Sequence, residues 1–266
     1  MATHAKAENA PLPAYLLRRR NLPASAAFRW LAAGWRDLWH SPLPSLAYGL
    51  AVFLVSLVVI WGLFQLQLDY ILFPALAGFM VLGPLVAIGL YQKSRAIEEG
   101  REIGLSRMIF VKAASGAQVW FTGAILSLLM LAWMRAAVII YALFFGLRPF
   151  PGLDDIVPML TTTPIGWAML LVGTSVGGLF AAFSFAISTF AIPMLLAERT
   201  DAFTAMGTSI SYVWNNLAVM ITWGAIVLVL FLACLATGLL GLIVIFPLLG
   251  HATWKSYKVI VEEARV

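Results

Sequence analysis

Long apolar runs, separated by short segments that carry charge, repeat along most of this sequence. The longest reaches from Leu217 to Trp254 without one Asp, Glu, Lys or Arg. A helix crosses the ~30 Å hydrocarbon core of a bilayer with about 20 apolar residues, so this run has room for two crossings. The pattern predicts an all-α fold, a polytopic bundle of membrane-spanning helices.

We predict six spans joined by short turns. Their approximate bounds are 44–65, 70–91, 117–146, 164–196, 217–237 and 240–258. They form one transmembrane domain over 25–260, between a flexible arm at 1–24 and a short tail at 261–266. With 62% hydrophobic residues, 11% charged residues and a mean hydropathy of +0.94, the chain lies outside the range of soluble globular proteins.

Basic residues mark one side of the predicted membrane. They concentrate in the N-terminal arm, in the segment from Gln92 to Lys112 and in the C-terminal tail, while the turns after spans one and five have none. The positive-inside rule then places both termini in the cytoplasm of a bacterium and the chain in its inner membrane. The net charge of +5 is therefore interpreted as topology, and we expect no nucleic-acid partner.

Two stretches align without gaps, Ala27–Gly49 and Ala202–Gly224, and both place a tryptophan before an apolar run, as Trp39 and Trp214. Apolar residues at helical spacing in the first stretch predict an amphipathic helix in the membrane interface. These are Phe28, Leu31, Trp35, Leu38 and Trp39. With a third copy at Arg107–Val119, the architecture would be three repeats of interfacial helix plus transmembrane hairpin.

Residues for metal or haem chemistry are scarce. The chain has three histidines, His4, His40 and His251, and one cysteine, Cys234, none at the spacing of a zinc site or a haem ligand pair. The sequence also lacks the motifs of serine hydrolases, zinc proteases and nucleotide-binding loops. We expect no cofactor, no metal site, no catalytic residues and no enzyme activity.

Helix-breaking residues inside the spans allow two interpretations. Pro84 interrupts the second span, and Gly173, Gly177 and Gly178 lie in the fourth. Broken helices line the binding sites of many transporters, whereas small residues at four-residue spacing let helices pack closely. The middle of each predicted span lacks the carboxylate that proton coupling usually needs, so close packing is favoured over a transport path.

Arg135 lies inside the third apolar run. If that helix begins at Ala117, Arg135 is ~27 Å along it and close to the outer face of the membrane. If it begins near Leu126, the guanidinium is at mid-membrane, at a cost of roughly 2.5 to over 10 kcal/mol unless it is paired. The first register predicts an outer-face ion pair with Asp69 at the start of span two. The alternative is an anion site for a lipid phosphate, a quinone head or a haem propionate.

Several strings resemble the proteobacterial integral membrane proteins grouped as domain of unknown function 2189 (DUF2189). They are "GWRDLWHSPLPSLAYG", "FPALAGFMVLGPLVAIGLYQKSR", "LTTTPIGWAMLLVGTSVGGLFA", "PMLLAERTDAFTAMGTSISYVWNN" and "PLLGHATWKSYKVIV", spread from Leu31 to Val261. Their polar positions cluster on the predicted cytoplasmic side. We select Arg36, Asp37, Arg95, Glu98, Asp201, Asn215 and His251 as a candidate cluster, either a partner surface or a hydrogen-bonded collar.

The resemblance implies no activity. Some family members carry the label of cytochrome c oxidase subunit, which could apply here only to an accessory polypeptide, because the histidine and cysteine counts exclude a metal-bearing subunit. We therefore expect a non-catalytic accessory or scaffolding subunit of an inner-membrane, respiratory complex, in contact with lipid and with a membrane-protein partner. The alternatives are a small-molecule permease or exporter, and an assembly or lipid-organising factor. The sequence does not specify an oligomeric state.

Overall fold

The computed structural model describes residues 22–146 and 150–262, and helices account for most of them. Residues 1–21 of the predicted arm and 263–266 of the predicted tail lie outside the described residues. The helices are α1 Ala26–His40, α2 Pro42–Gln65, α3 Leu72–Val86, α4 Ile88–Glu98, α5 Leu105–Ile109, α6 Gly116–Phe145, α7 Leu153–Thr162, α8 Pro164–Ser188, α9 Ala191–Ala197, α10 Ala202–Asn215, α11 Leu217–Ala236 and α12 Leu242–Tyr257.

Five helical segments in the described ranges are long and apolar enough to cross a membrane. They are Pro42–Gln65, Asp69–Glu98, Gly116–Phe145, Pro164–Ala197 and Leu217–Ala236. The predicted all-α membrane bundle is confirmed, but the count of six is not. The sixth predicted span, 240–258, corresponds to α12, which has 16 residues and is therefore ~24 Å long, shorter than the ~30 Å core.

Helix α12 is the buried centre of the bundle. His251, Trp254 and Tyr257 are among its fully buried side chains, and α1, α2 and α4 pack around it. Glycines make these approaches close: a Cβ on Gly34 of α1 would lie 2.5 Å from the amide nitrogen of Ala252, and one on Gly49 of α2 would lie 2.3 Å from the carbonyl oxygen of Ile243. An apolar run of this length is as typical of a buried core helix as of a span, so hydropathy alone could not separate the two.

The second membrane segment breaks between α3 and α4. Pro84 lies three residues before the break at Ala87, and the amide of Leu90 bonds to Ala87 instead of to Val86. The Tyr48 hydroxyl of α2 donates to the freed Val86 carbonyl at 2.7 Å. A side chain from a neighbouring helix thus satisfies the backbone where the segment bends, as an apolar environment requires.

A similar repair joins α8 to α9. The Ser209 hydroxyl of α10 accepts from the Phe190 amide at 3.2 Å and donates to the Ala186 carbonyl at 2.6 Å. In an unbroken helix these two backbone groups would bond to each other. Ser209 therefore replaces one backbone bond and ties α10 to the break.

The two aligned stretches have equivalent structures. In each, an amphipathic helix, α1 or α10, is followed after a single residue, Ser41 or Asn216, by a long apolar helix. The predicted third copy at Arg107–Val119 is wrong, because α5 ends at Ile109 and α6 begins only at Gly116. Between them the amides of Ala114 and Ser115 bond to the carbonyls at the end of α9 instead of continuing a helix.

Helix α1 packs on the core through a face that is separate from most of the predicted interfacial stripe. Ala27, Trp30, Gly34 and Leu38 point towards the core, whereas Phe28, Trp35 and Trp39 are exposed. Of the predicted apolar stripe, only Leu38 is fully buried. The close approach of α12 requires glycine at position 34, and Trp30 packs against Trp223 of α11 on the same face.

One end of the bundle contains the start of α2 and the ends of α4, α9 and α12, and we call it the polar end. The opposite end, where α2 finishes and α3 begins, is the far end.

Candidate functional site

A continuous chain of buried hydrogen bonds joins four helices at the polar end. Lys93 donates to the Ser45 hydroxyl at 2.6 Å and to the Ser41 carbonyl. Ser45 contacts Nε2 of His251 at 2.9 Å, and Ser94 contacts its Nδ1 at 2.7 Å. Ser94 donates to Asp37 at 2.8 Å. We call Lys93, Ser45, His251, Ser94 and Asp37 the polar chain; each is at most 7% exposed.

The polar chain has one consistent arrangement of protons. Ser94 gives its proton to the Asp37 carboxylate, so its oxygen must accept from Nδ1–H of His251. Nε2 is then an acceptor and takes the Ser45 proton, which leaves the Ser45 oxygen to accept from Lys93. His251 is neutral in this arrangement, with its proton on Nδ1.

A rim of ion pairs closes the Asp37 end of the polar chain. Lys255 of α12 lies 3.0 Å from the Asp37 carboxylate and 2.8 Å from Glu98. Trp254 donates its indole N–H to Glu98 at 3.0 Å. Since the side chain of Lys255 is 19% exposed and that of Asp37 is 10% exposed, the rim marks the transition from the buried chain to solvent.

The structure brings together part of the predicted polar cluster. Asp37, Glu98 and His251 belong to the polar chain or its rim. Arg95 instead pairs with Glu99 at 3.0 Å and donates to the Leu196 carbonyl.

The other three predicted residues have separate roles. Asp201 caps α10 by accepting from the Thr204 amide at 2.9 Å. Asn215 donates to Ser211 within α10. Arg36 is exposed on α1.

Four residues of the chain or its rim are missing from the predicted cluster, although each makes two contacts: Lys93, Ser45, Ser94 and Lys255. Lys93 lies at the end of the apolar part of its segment, and a lysine in that position could have been predicted to pair with a buried polar group. Ser45 had no comparable signal, because serine is common in packed membrane helices. In the described ranges, no three His, Cys, Asp or Glu side chains are placed to hold a metal ion.

Burial of His251 predicts a loss of stability in mild acid. Burial first, and then the charges of Lys93 and Lys255, lower the pKa of His251 to about 3. An unfolded His protonates near pH 6.5, so the unfolded state gains a proton that the folded state refuses, and stability falls as the pH drops from 6.5 towards 3. The loss at pH 5 should be ~2 kcal/mol.

This expectation is checked by melting curves in detergent at pH 7.5 and pH 5. The acid-induced decrease in melting temperature should shrink in His251→Gln, which cannot titrate. It should remain in His40→Gln, since His40 is exposed at the end of α1. An equal decrease in the wild type and in His251→Gln would contradict it.

Arg135 lies near the far end, as the first register predicts. Its neighbour Trp133 donates to the Pro74 carbonyl, in the first turn of α3, at 3.0 Å. The guanidinium is exposed, and no ion pair within 4.0 Å joins it to Asp69 or to another described residue. The structure thus places Arg135 and Asp69 at the same end without joining them.

A large apolar cleft lies among the membrane helices. Its volume is about 1080 Å³, and it lies between α11 on one side and α3, α6 and α8 on the other, with α7 across one end. The lining is almost entirely aliphatic and aromatic, and partly exposed wall residues such as Phe73, Ile221 and Leu228 open it to the surface. Small-molecule pockets commonly enclose about 300–1,000 Å³, so this cleft is large enough for a ligand.

The glycines of α8 have two different roles. A Cβ on Gly177 would lie 2.8 Å from the Trp133 ring, so this glycine allows close packing. Gly173 and Gly178 also line the cleft, but a Cβ there would meet nothing within 4 Å. Close packing therefore explains only part of this small-residue stretch, and the rest borders open space.

A model of the DUF2189 family, described as a predicted integral membrane protein, matches residues 72–197. The chain is similar to this family over that segment. The match confirms the resemblance over α3 to α9, a narrower range than the predicted Leu31 to Val261. No curated protein and no solved structure matches the chain.

The matched segment, 72–197, contributes only some of the residues of the cleft and of the polar chain with its rim. It supplies α3, α6, α7 and α8 of the cleft, and Lys93, Ser94 and Glu98 of the polar chain and rim. Asp37, Ser45 and His251 come from outside it. The protein is an integral, multi-pass membrane protein, and its polar chain joins the matched segment to the flanking helices.

Proposed function

We propose that this protein is a non-catalytic, lipid-organising factor that holds an acyl chain, or a molecule of similar apolar character, in the cleft. The observation that carries the proposal is the cleft of about 1080 Å³ with its aliphatic and aromatic lining. A hydrocarbon chain needs no hydrogen-bond partner. Burying one of its methylene groups contributes about 0.8 kcal/mol when the group is transferred out of water. In a bilayer the gain comes instead from packing, which a shaped cleft provides.

The character of the lining favours this proposal over a permease for polar solutes. A hydrophilic cargo would leave its polar groups without partners among residues such as Val138, Leu170 and Val227. An accessory or scaffolding subunit of an inner-membrane complex remains compatible with a bound lipid, and it stays a prediction.

We also propose that the polar end faces the cytoplasm of an inner membrane. This end has most of the basic residues of the described chain, including Arg95, Arg101, Arg107 and Lys112, whereas Arg135 lies at the far end. The positive-inside rule supports this orientation. Because α12 returns to the polar end, both termini would be cytoplasmic.

A photoreactive fatty acid with a mid-chain diazirine tests the cleft. After irradiation of the purified protein in detergent, mass spectrometry should find labelled peptides from α8 and α11. In Gly173→Phe the new ring enters open space in the cleft. The ring then takes space that part of the chain would fill, its packing contacts are lost, and labelling should fall clearly below the wild-type value.

Gly62→Phe in α2 is the matched control. A Cβ at Gly62 also meets nothing within 4 Å, but Gly62 does not line the cleft. Labelling of α8 and α11 should therefore match the wild type in this variant. Equal labelling of those peptides in Gly173→Phe and the wild type, with both proteins monodisperse, would refute the proposed function.

A further inference from the structure

The outward face of α1 combines aromatic and basic side chains. Phe28 and Trp35 are 59% and 45% exposed, and Arg29 and Arg36 follow them directly in the sequence. Residues seven apart lie on the same side of an α-helix, so the two aromatic residues form one row and the two arginines form a second row beside it. This face makes α1 amphipathic on the side that α12 does not cover.

A groove of about 740 Å³ follows this face. It is lined by α1 from Phe28 to Arg36 and by Leu248 of α12. The floor, made by Leu31, Ala32 and Leu248, is apolar, and the two guanidinium groups border it. The groove lies on the opposite side of α1 from Asp37 and the polar chain, so it is a separate site.

Neither arginine of the groove has a carboxylate partner in the part of the chain that the structure describes. The ion pairs there involve Arg95, Arg101, Lys255 and Lys258. Arg29 and Arg36 are therefore positive charges beside an apolar floor. Residues 1–21 include Glu8 as their one acid against Lys6 and three consecutive arginines.

We propose that this groove binds an anionic phospholipid with two phosphates, a lipid of the cardiolipin class. A guanidinium forms paired hydrogen bonds with a phosphate, and basic pockets on the cytoplasmic side of membrane proteins are suited to such headgroups. Arg29 and Arg36 are attached ~10.5 Å apart along the helix axis, so each has its own phosphate to bind. Phe28, Leu31 and Trp35 cover the upper parts of the acyl chains.

Native mass spectrometry of the full chain tests this site. The purified protein is mixed with equal amounts of cardiolipin and phosphatidylglycerol, and the bound lipids are counted. We expect the wild type to retain cardiolipin over phosphatidylglycerol by roughly tenfold, the effect of one additional charge-assisted contact. Arg29→Gln and Arg36→Gln should each remove that preference.

Arg107→Gln is the matched control, because Arg107 is exposed on α5 and does not line the groove. It should retain the preference of the wild type. Equal retention of the two lipids by the wild type would overturn the proposal, as would an equal loss in Arg107→Gln. Gly173→Phe should leave cardiolipin retention unchanged, so the groove and the cleft can fail independently.

Discussion

Replacing Asp37 with alanine is expected to destabilise the bundle. The substitution leaves the Ser94 hydroxyl without its acceptor and removes the carboxylate 3.0 Å from Lys255. A buried donor that loses its acceptor costs about 1–3 kcal/mol, whereas Lys255 keeps Glu98 as a partner at 2.8 Å. Thermal melting in detergent measures the loss.

Glu99→Ala is the control for this experiment. Glu99 pairs with both Arg95 and Arg101, but it is 39% exposed, and exposed pairs contribute about 0–1 kcal/mol. If Asp37→Ala and Glu99→Ala melt at the same temperature, the polar chain does not stabilise the fold.

A methyl group on Gly49 is expected to separate α2 from α12. The added Cβ would lie 2.3 Å from the Ile243 carbonyl oxygen and 2.9 Å from Cγ of Pro247, and neither is the end of a flexible side chain. The backbone must therefore move, and overpacking of this kind costs about 1–3 kcal/mol or more. In Gly49→Ala we expect a lower melting temperature and a weakened Ser45–His251 contact.

Gly62→Ala makes the same chemical change in the same helix. Its Cβ meets nothing within 4 Å, and alanine is favoured over glycine inside a helix by up to about 1 kcal/mol. The variant should therefore melt at or slightly above the wild-type temperature. A Gly49→Ala protein as stable as Gly62→Ala would contradict the close approach of α2 and α12.

The sequence predicted most of the membrane segments and one pair of related helix–helix units, but it did not predict which helices pack together. Hydropathy identified five membrane segments, and the alignment of Ala27–Gly49 with Ala202–Gly224 anticipated two helix pairs with the same single-residue junction. Hydropathy failed at α12, because lipid and a protein interior select the same apolar side chains. Only the packing of α1, α2 and α4 on α12 distinguishes them.

The prediction included Asp37 and His251 of the polar chain but not Lys93 or the two serines. Asp37 and His251 are conspicuous beside apolar runs, whereas Ser45 and Ser94 gain their role from the geometry that places them on the two nitrogens of one imidazole. For Arg135, counting residues gave the correct end of the bundle. It did not give a partner, since the contact depends on side-chain direction as well as on depth.

The position of the polar chain has a mechanical consequence. It holds α1, α2, α4 and α12 together through directional hydrogen bonds, whereas α3, α6, α8 and α11 meet mainly through apolar contacts around an open cleft. Apolar surfaces can slide without losing a directional bond. A shift between two helices of the cleft therefore costs less than a shift between two helices of the polar chain.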